Sequence, residues 1–336
     1  MSAAPIVELK GVSKRFSKPL DAAAKLANML GAGMKAEVVH AVDRVDLAVR
    51  EGEVVGLVGE SGCGKSTLGR MVAGILEPSE GEVLYRGRRA SEMDGREATR
   101  AALAVQMIFQ DPFASLNPRM RVRDIIGEAP AYHGLVPRAS FDAHVDETMI
   151  RVGLDPAYKR RFPHQFSGGQ RQRIGIARAL AVRPEFVVCD EAVAALDVSI
   201  QAQILNLFMK LREELALTYL FISHDLGVVR HVSDRVAIMY LGRVVETGPT
   251  AEIFSAPRHP YTRALLESVP RLRREGVADG DFRPIAGEIP SPLAPPPGCH
   301  FHPRCPHATE RCRLEAPALR EIAPGRRAAC HLNDAR

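Results

Sequence analysis

The 336-residue chain predicts an α/β protein built on a largely parallel sheet, and three observations carry that prediction. Short apolar runs at Glu53–Val58, Phe186–Cys189 and Tyr219–Ile222 read as buried strands. Helix-forming stretches at Ser66–Ile75 and about Ile200–Leu215 alternate with them. The first run ends in a glycine-rich loop that opens the first helix. With 46% hydrophobic residues, the chain can bury one large domain, or a large domain with a smaller attachment.

The remaining elements follow in order. Ile6–Phe16 reads as a strand and turn, and His40–Val49 as a second β-like stretch. Between them, DAAAKLANMLGAGMKAE has helix-forming composition and reads as an inserted surface helix at about 18–38. From Asp111 to about Pro163 the pattern becomes helical segments broken by Pro and Gly, a helical insertion that includes DPFASLNPRM. Arg235–Thr247 suggests a hairpin. SPLAPPPG, at Ser291–Gly298, can neither form a helix nor donate a regular ladder, so a small appended module is placed from about Pro257 onward.

Charge and composition exclude several classes. The net charge of +5 suits nucleotide, nucleic acid or anionic lipid, but both signs are interleaved, as on an ordinary surface with a basic bias. No run of eighteen apolar residues occurs, so no segment is expected to span a bilayer. MSAAPIVELKGVSKRF alternates instead of showing a basic-then-apolar leader, and a cytosolic location is expected. Of six cysteines, Cys63 and Cys189 lie in core motifs. The other four crowd into the tail, which suggests a local metal site more than a disulfide framework.

Two motifs carry chemistry. Gly59-Glu60-Ser61-Gly62-Cys63-Gly64-Lys65-Ser66-Thr67 fits G-x-x-x-x-G-K-[ST] between a strand and a helix. Its glycines let backbone N–H groups converge on phosphate oxygens. Lys65 would reach the β- and γ-phosphates, and Ser66 would ligate Mg²⁺. Phe186–Glu191 is an apolar strand ending in two carboxylates. Asp190 would hold Mg²⁺ through its water shell, and Glu191 would act as general base on the attacking water.

Phe166-Ser167-Gly168-Gly169-Gln170, followed by RQRIGIARAL, resembles the signature of the nucleotide-binding subunits of ATP-binding cassette (ABC) transporters, where the first residue is more often Leu. The resemblance implies a P-loop NTPase fold over residues 1–256, with a RecA-like core, an antiparallel β subdomain and a helical subdomain at about 111–180. It also implies that Ser167, Gly168, Gly169 and Gln170 bind the γ-phosphate of ATP held by an opposing subunit, in a head-to-tail dimer. Gln110, ending MIFQ, resembles the glutamine that senses Mg²⁺ and the attacking water. His224, after YLFIS, resembles the switch histidine on the γ-phosphate, and Phe16 the aromatic that stacks on adenine. Ala195-Leu196-Asp197 resembles the loop coupling the two ATP sites. The family commonly reads EPVSALD there and this chain reads EAVAALD, with Ala192 for Pro and Ala194 for Ser. Losing a fixed backbone angle and a hydroxyl implies altered communication between sites.

DPFASLNPRM, HPYTRALLESVP and GEIPSPLAPPPGCHFHPRCPHATERC resemble the oligopeptide/dipeptide importer branch, especially the second of its two paired ATPase subunits. That implies a heterodimeric partner ATPase, two membrane permease subunits contacted through the insertion around Phe113–Met120, an extracytoplasmic peptide-binding protein, and a peripheral position on the cytoplasmic face of the membrane. Cys299, Cys305, Cys312 and Cys330 are spaced C-x5-C-x6-C-x17-C, without C-x2-C knuckles. Four thiolates there can hold zinc or an iron–sulfur cluster, or stay uncommitted or disulfide-linked. The resemblance implies a [4Fe-4S] cluster with a structural role in the 257–336 module. Alternatives are the same machinery importing nickel or another small peptide-like solute, a regulatory nucleotide-binding module without turnover, and, from another class, a soluble cassette ATPase acting on nucleic acid or ribosomes. The last lacks support, because neither a second cassette nor a long coiled-coil insertion is visible, and no nucleic-acid partner is expected.

Overall fold

The computed structural model describes residues 4–17, 28, 36–111, 113–268 and 285–334. In chain order the principal elements are β1 (Pro5–Ser17), β2 (Val38–Arg50), β3 (Val54–Val58), α1 (Lys65–Val72), β4 (Glu80–Tyr85), β5 (Arg88–Arg89), α2 (Gly95–Ala104) and β6 (Val105–Ile108). They continue with α3 (Val122–Tyr132), α4 (Phe141–Arg151), α5 (Gly168–Leu180), β7 (Phe186–Asp190), α6 (Val198–Leu215), β8 (Thr218–Ser223), α7 (Leu226–Val232), β9 (Arg235–Tyr240) and β10 (Arg243–Pro249). The tail adds α8 (Thr250–Ser255), α9 (Pro260–Glu267), α10 (Glu310–Leu314), β11 (Arg320–Ala323) and β12 (Arg326–Ala328).

Two sheets organise the molecule. The larger runs β11-β12-β10-β9-β3-β8-β7-β6, parallel from β9 to β6 and antiparallel beyond. Every residue of β3, β7 and β8 is buried, which explains why these strands read as continuous apolar runs instead of alternating ones. The smaller sheet, β2-β1-β4-β5, is antiparallel and alternates more, because one face stays wet. Leu9, Val45 and Leu47 from it meet Leu68 and Met71 of α1 and Val55 and Leu57 of β3 in one apolar cluster, which holds the start of α1 between the sheets. A second cluster joins Ile126, Met149 and Ile174 of the helical region to Val187 and Phe221 of the large sheet.

The expected strands, the hairpin at β9–β10, the helices after β3 and before β8, and the helical region after Asp111 are all present. The helix expected at about 18–38 lies outside the described residues, apart from Asn28 and the strand that begins at Val38. The tail departs most from expectation. Past its proline-rich stretch it forms β11 and β12, and β12 pairs with β10 through Glu246–Ala328 and Thr247–Arg327, so the tail extends the large sheet instead of hanging beside it. Strands this short, and rich in Arg, leave no periodic signal.

Candidate nucleotide site and its tail clamp

The loop after β3 is shaped by what its neighbours leave free. Gly64, the residue that caps α1, has φ 103°, and a Cβ there would drive into the Ala41 carbonyl oxygen. Only glycine lets the backbone pass and aim the first N–H groups of α1 outward. Lys65 is 4% exposed, and its ammonium donates to the carbonyls of Gly59 (2.8 Å) and Glu60 (3.0 Å). The cation therefore closes the loop on itself. Burial pushes the Cys63 thiol up, so that residue serves as backbone and packing.

Beside the loop, Ser66 Oγ donates to Asp190 Oδ1 at 2.8 Å. Burial pushes the Asp190 carboxyl up, the Ser66 hydroxyl opposes that shift, and the Glu191 charge adds to it. A buried carboxylate in that state gains from a divalent cation, and hydroxyl plus carboxylate is the hard oxygen set Mg²⁺ prefers. These residues fit the ion, with Gln110 one residue away in space, through Glu191.

Glu191 has φ 47°, a left-handed conformation costly for a side chain with a Cβ. Its N–H donates to Ile222 O at 3.0 Å, continuing the ladder past β7. Gln110 Nε2 donates to Glu191 Oε2 at 2.7 Å, and His224 Nδ1 stands 3.3 Å from Oε1. The ends of β6, β7 and β8 thus deliver Gln110, Asp190, Glu191 and His224 to one edge, next to the loop leaving β3.

Two groups of the expected site residues stand apart from this edge. Ser167 caps α5: its hydroxyl accepts from Gln170 N, while Gln170 Oε1 accepts from Ser167 N at 3.0 Å, a reciprocal box that fixes the helix start. A Cβ on Gly169 would strike Ile200, so α5 and α6 begin side by side. Asp197 caps α6 without a side-chain hydrogen bond, and Ser167 and Asp197 are exposed. Among the described residues, no hydrogen bond or ion pair joins Ser167–Gln170 to Gly59–Thr67. Phe16, on β1, is 42% exposed, with the Lys14 ammonium 5.4 Å from its ring centroid.

Sequence reasoning missed a clamp from the tail. Arg304, whose side chain is 4% exposed, forks both terminal nitrogens onto the Glu60 carboxylate at 2.8 and 3.1 Å. The Tyr261 hydroxyl accepts from Glu60 N at 3.0 Å. Tyr240, Tyr261 and Phe301 pack ring to ring beneath them. HPYTRALL holds Tyr261 and CHFHPRC holds Phe301 and Arg304, yet nothing in either motif points to the phosphate loop. A second anchor is Glu246, fully buried, which takes the backbone N–H groups of Arg258 and His259, each at 2.9 Å, and the Arg326 guanidinium at 3.0 Å.

Cys299, Cys305, Cys312 and Cys330 all line one cavity of about 230 Å³, with His302, His307 and His331 at its wall. Burial pushes the Cys330 thiol up to about 11, with the other three cysteines adding to the shift, and burial raises Cys299 and Cys305 as well. Among the described residues, no group of three or more His, Cys, Asp or Glu side chains is arranged to hold a single metal ion.

Comparison with known proteins fits this geometry. The family model described as "ABC transporter" matches residues 42–194, and the model "Oligopeptide/dipeptide transporter, C-terminal region" matches residues 245–312. The oligopeptide transport ATP-binding protein AppF of Bacillus subtilis is 50% identical over 88% of this chain and 90% of its own length. A putative peptide import ATP-binding protein of Brucella abortus is 54% identical over 88% and 87%, and the dipeptide transport ATP-binding protein DppF of Haemophilus influenzae is 47% identical over 88% and 90%. Among solved structures, the dimeric post-hydrolysis form of the ATP-binding cassette MJ0796, bound to ADP and Pi, superposes with a TM-score of 0.60 at 27% identity, covering 73% of this chain and 98% of that one. With relatives matched over most of their length, the chain belongs to the ABC transporter family as an ATP-hydrolysing subunit with an oligopeptide/dipeptide-type C-terminal region.

Proposed function

We propose that this subunit energises peptide import, with ATP bound on Gly59–Thr67 and hydrolysed through Glu191. The observation that carries the chemistry is the Glu191 carboxylate held between Gln110 and His224, directly after an Asp190 bonded to Ser66. Backbone N–H groups at the start of α1 and the Lys65 ammonium hold the phosphates. Ser66 and Asp190 hold Mg²⁺, which when bound neutralises charge developing on the phosphate oxygens. Gln110 and His224 orient the Glu191 carboxylate, which takes the proton of the attacking water. Phe16 stacks on the base. The substrate class rests on the names of the relatives and on the C-terminal family model.

The partners follow from the exposed helix starts. Ser167 and Asp197 are exposed at the starts of α5 and α6, which supports their serving the ATP of a homologous ATPase subunit facing this one. The helical region, with exposed Phe113, meets two permease subunits at the cytoplasmic face of the membrane, and these receive peptide from an extracytoplasmic binding protein. In the 257–336 module the four cysteines hold a [4Fe-4S] cluster. The four cysteines around one cavity support this reading. The cluster's contribution is structural, bracing the tail around it.

Transport by the assembled complex, measured in vesicles with labelled peptide and ATP, tests this reading. Peptide uptake coupled to hydrolysis is expected, and hydrolysis that no peptide stimulates overturns the substrate class. Anaerobically purified chain is expected to be brown with roughly four irons per chain. A colourless, zinc-loaded chain rejects the cluster.

A further inference from the structure

Glu60 is gripped from three sides. Its carbonyl accepts from Lys65, its N–H donates to the Tyr261 hydroxyl, and its carboxylate receives the Arg304 fork. Two of these partners come from the tail, and Arg304 lies in the loop between Cys299 and Cys305. A third tail contact, Arg304 Nε to Ala286 O at 3.1 Å, fixes the guanidinium plane from behind. Phosphate loops close by their own backbone and lysine, so they need no such outside support. Here the loop's second residue is set by side chains some two hundred positions away.

Lys65 must leave the Gly59 and Glu60 carbonyls to reach a phosphate, and how far it travels depends on where the Glu60 peptide is held. The geometry points to Arg304 as a positioning residue for the nucleotide: through Glu60 it fixes the phosphate loop, and so links ATP affinity to the folded state of the four-cysteine tail. Arg304 acts through Glu60. This inference rests on the reading of Gly59–Thr67 as the ATP loop.

The test is equilibrium binding of a fluorescent ATP analogue to the full chain, with thermal melting recorded on every variant. Arg304→Ala is expected to weaken binding about tenfold, as is Glu60→Ala, and the double variant is expected to be no weaker than either alone, because both remove the same link. Arg304→Lys keeps the charge and most of the volume but loses the fork, so it is expected to fall between wild type and Arg304→Ala even if the alanine variant folds poorly. In the assembled transporter the same variants are expected to raise KM for ATP more than they lower kcat. Unchanged nucleotide affinity in Arg304→Lys and Arg304→Ala, with only the melting temperature lowered, overturns the inference and leaves Arg304 a mere staple. Losses from Arg304→Ala and Glu60→Ala that multiply in the double variant overturn it too. A wild-type chain that binds no ATP overturns instead the reading of the loop, so the two failures are distinct.

Discussion

His224 and Glu191 face each other at 3.3 Å across the ends of β8 and β7, with the imidazole more than half exposed and the carboxylate largely covered. The carboxylate is thus sheltered while its histidine partner is open to solvent. Glu191→Gln keeps the shape and the contacts to Gln110 and His224 but removes the proton acceptor. Turnover of the assembled complex is expected to drop by about 10²–10⁴-fold with ATP binding retained. Phosphate release assays check this, and undiminished turnover removes Glu191 from the role of base.

Ser167 gives the second prediction. Ser167→Arg puts a bulky cation at the open start of α5. In a complex whose partner ATPase is intact, hydrolysis at the site formed with that partner's phosphate loop is expected to fail, while ATP on this chain's own Lys65 stays bound. Single-turnover kinetics with one site inactivated at a time separates the two. Loss confined to this chain's own site would falsify the in-trans role.

The Arg326–Glu246 pair gives a third. Both side chains are almost fully buried, so Arg326→Met leaves a carboxylate with only backbone donors. Breaking a buried pair on one side costs about 3–5 kcal/mol, and the remaining N–H donors place this case near the lower bound. Denaturant unfolding of the single variant, and of Arg326→Met with Glu246→Gln, checks this. The double variant is expected to recover part of the loss.

pH dependence follows from His259. It is buried and caps α9 by accepting from Tyr261 N at 3.0 Å, and burial pushes its imidazole down to about 3 from 6.5. The depressed group is neutral when folded and takes a proton when unfolded. Stability is therefore complete above about pH 6.5 and falls between that value and about 3 as pH drops, by about 1.4 kcal/mol per unit from this group. His259→Asn retains a capping oxygen and cannot titrate. Its melting temperature is expected to vary less between pH 7 and 5 than that of wild type.

Much of this site was legible because its residues are local and chemically distinctive. Glycines before a lysine, and two carboxylates after an apolar run, can be read without a third dimension, and the fold brings Ser66 onto Asp190 and Gln110 onto Glu191, with Lys65 closing the loop beside them. What stayed hidden depends on long-range contact. Glu60 and Arg304 are 244 positions apart, and neither residue type is unusual where it stands. Nor could Pro-rich sequence reveal β12, because a strand of three residues owes its existence to the β10 edge it pairs with. The Ala192 and Ala194 departures divide by burial: Ala192 is enclosed, where a proline ring would need room, and Ala194 is exposed, where a missing hydroxyl costs the fold nothing.

The pairing of β12 with β10 also sets an order of events during synthesis. Until residues 326–328 have left the ribosome, the Glu246–Thr247 stretch of β10 has no β12 beside it, and its backbone groups stand open to pairing with another chain. When the tail arrives it caps that strand and moves the open edge to β11, whose Arg320 and Glu321 are exposed charges that discourage further pairing. The chain therefore carries its own late-arriving guard against aggregation, and shortening the tail is expected to reduce soluble yield before it touches catalysis.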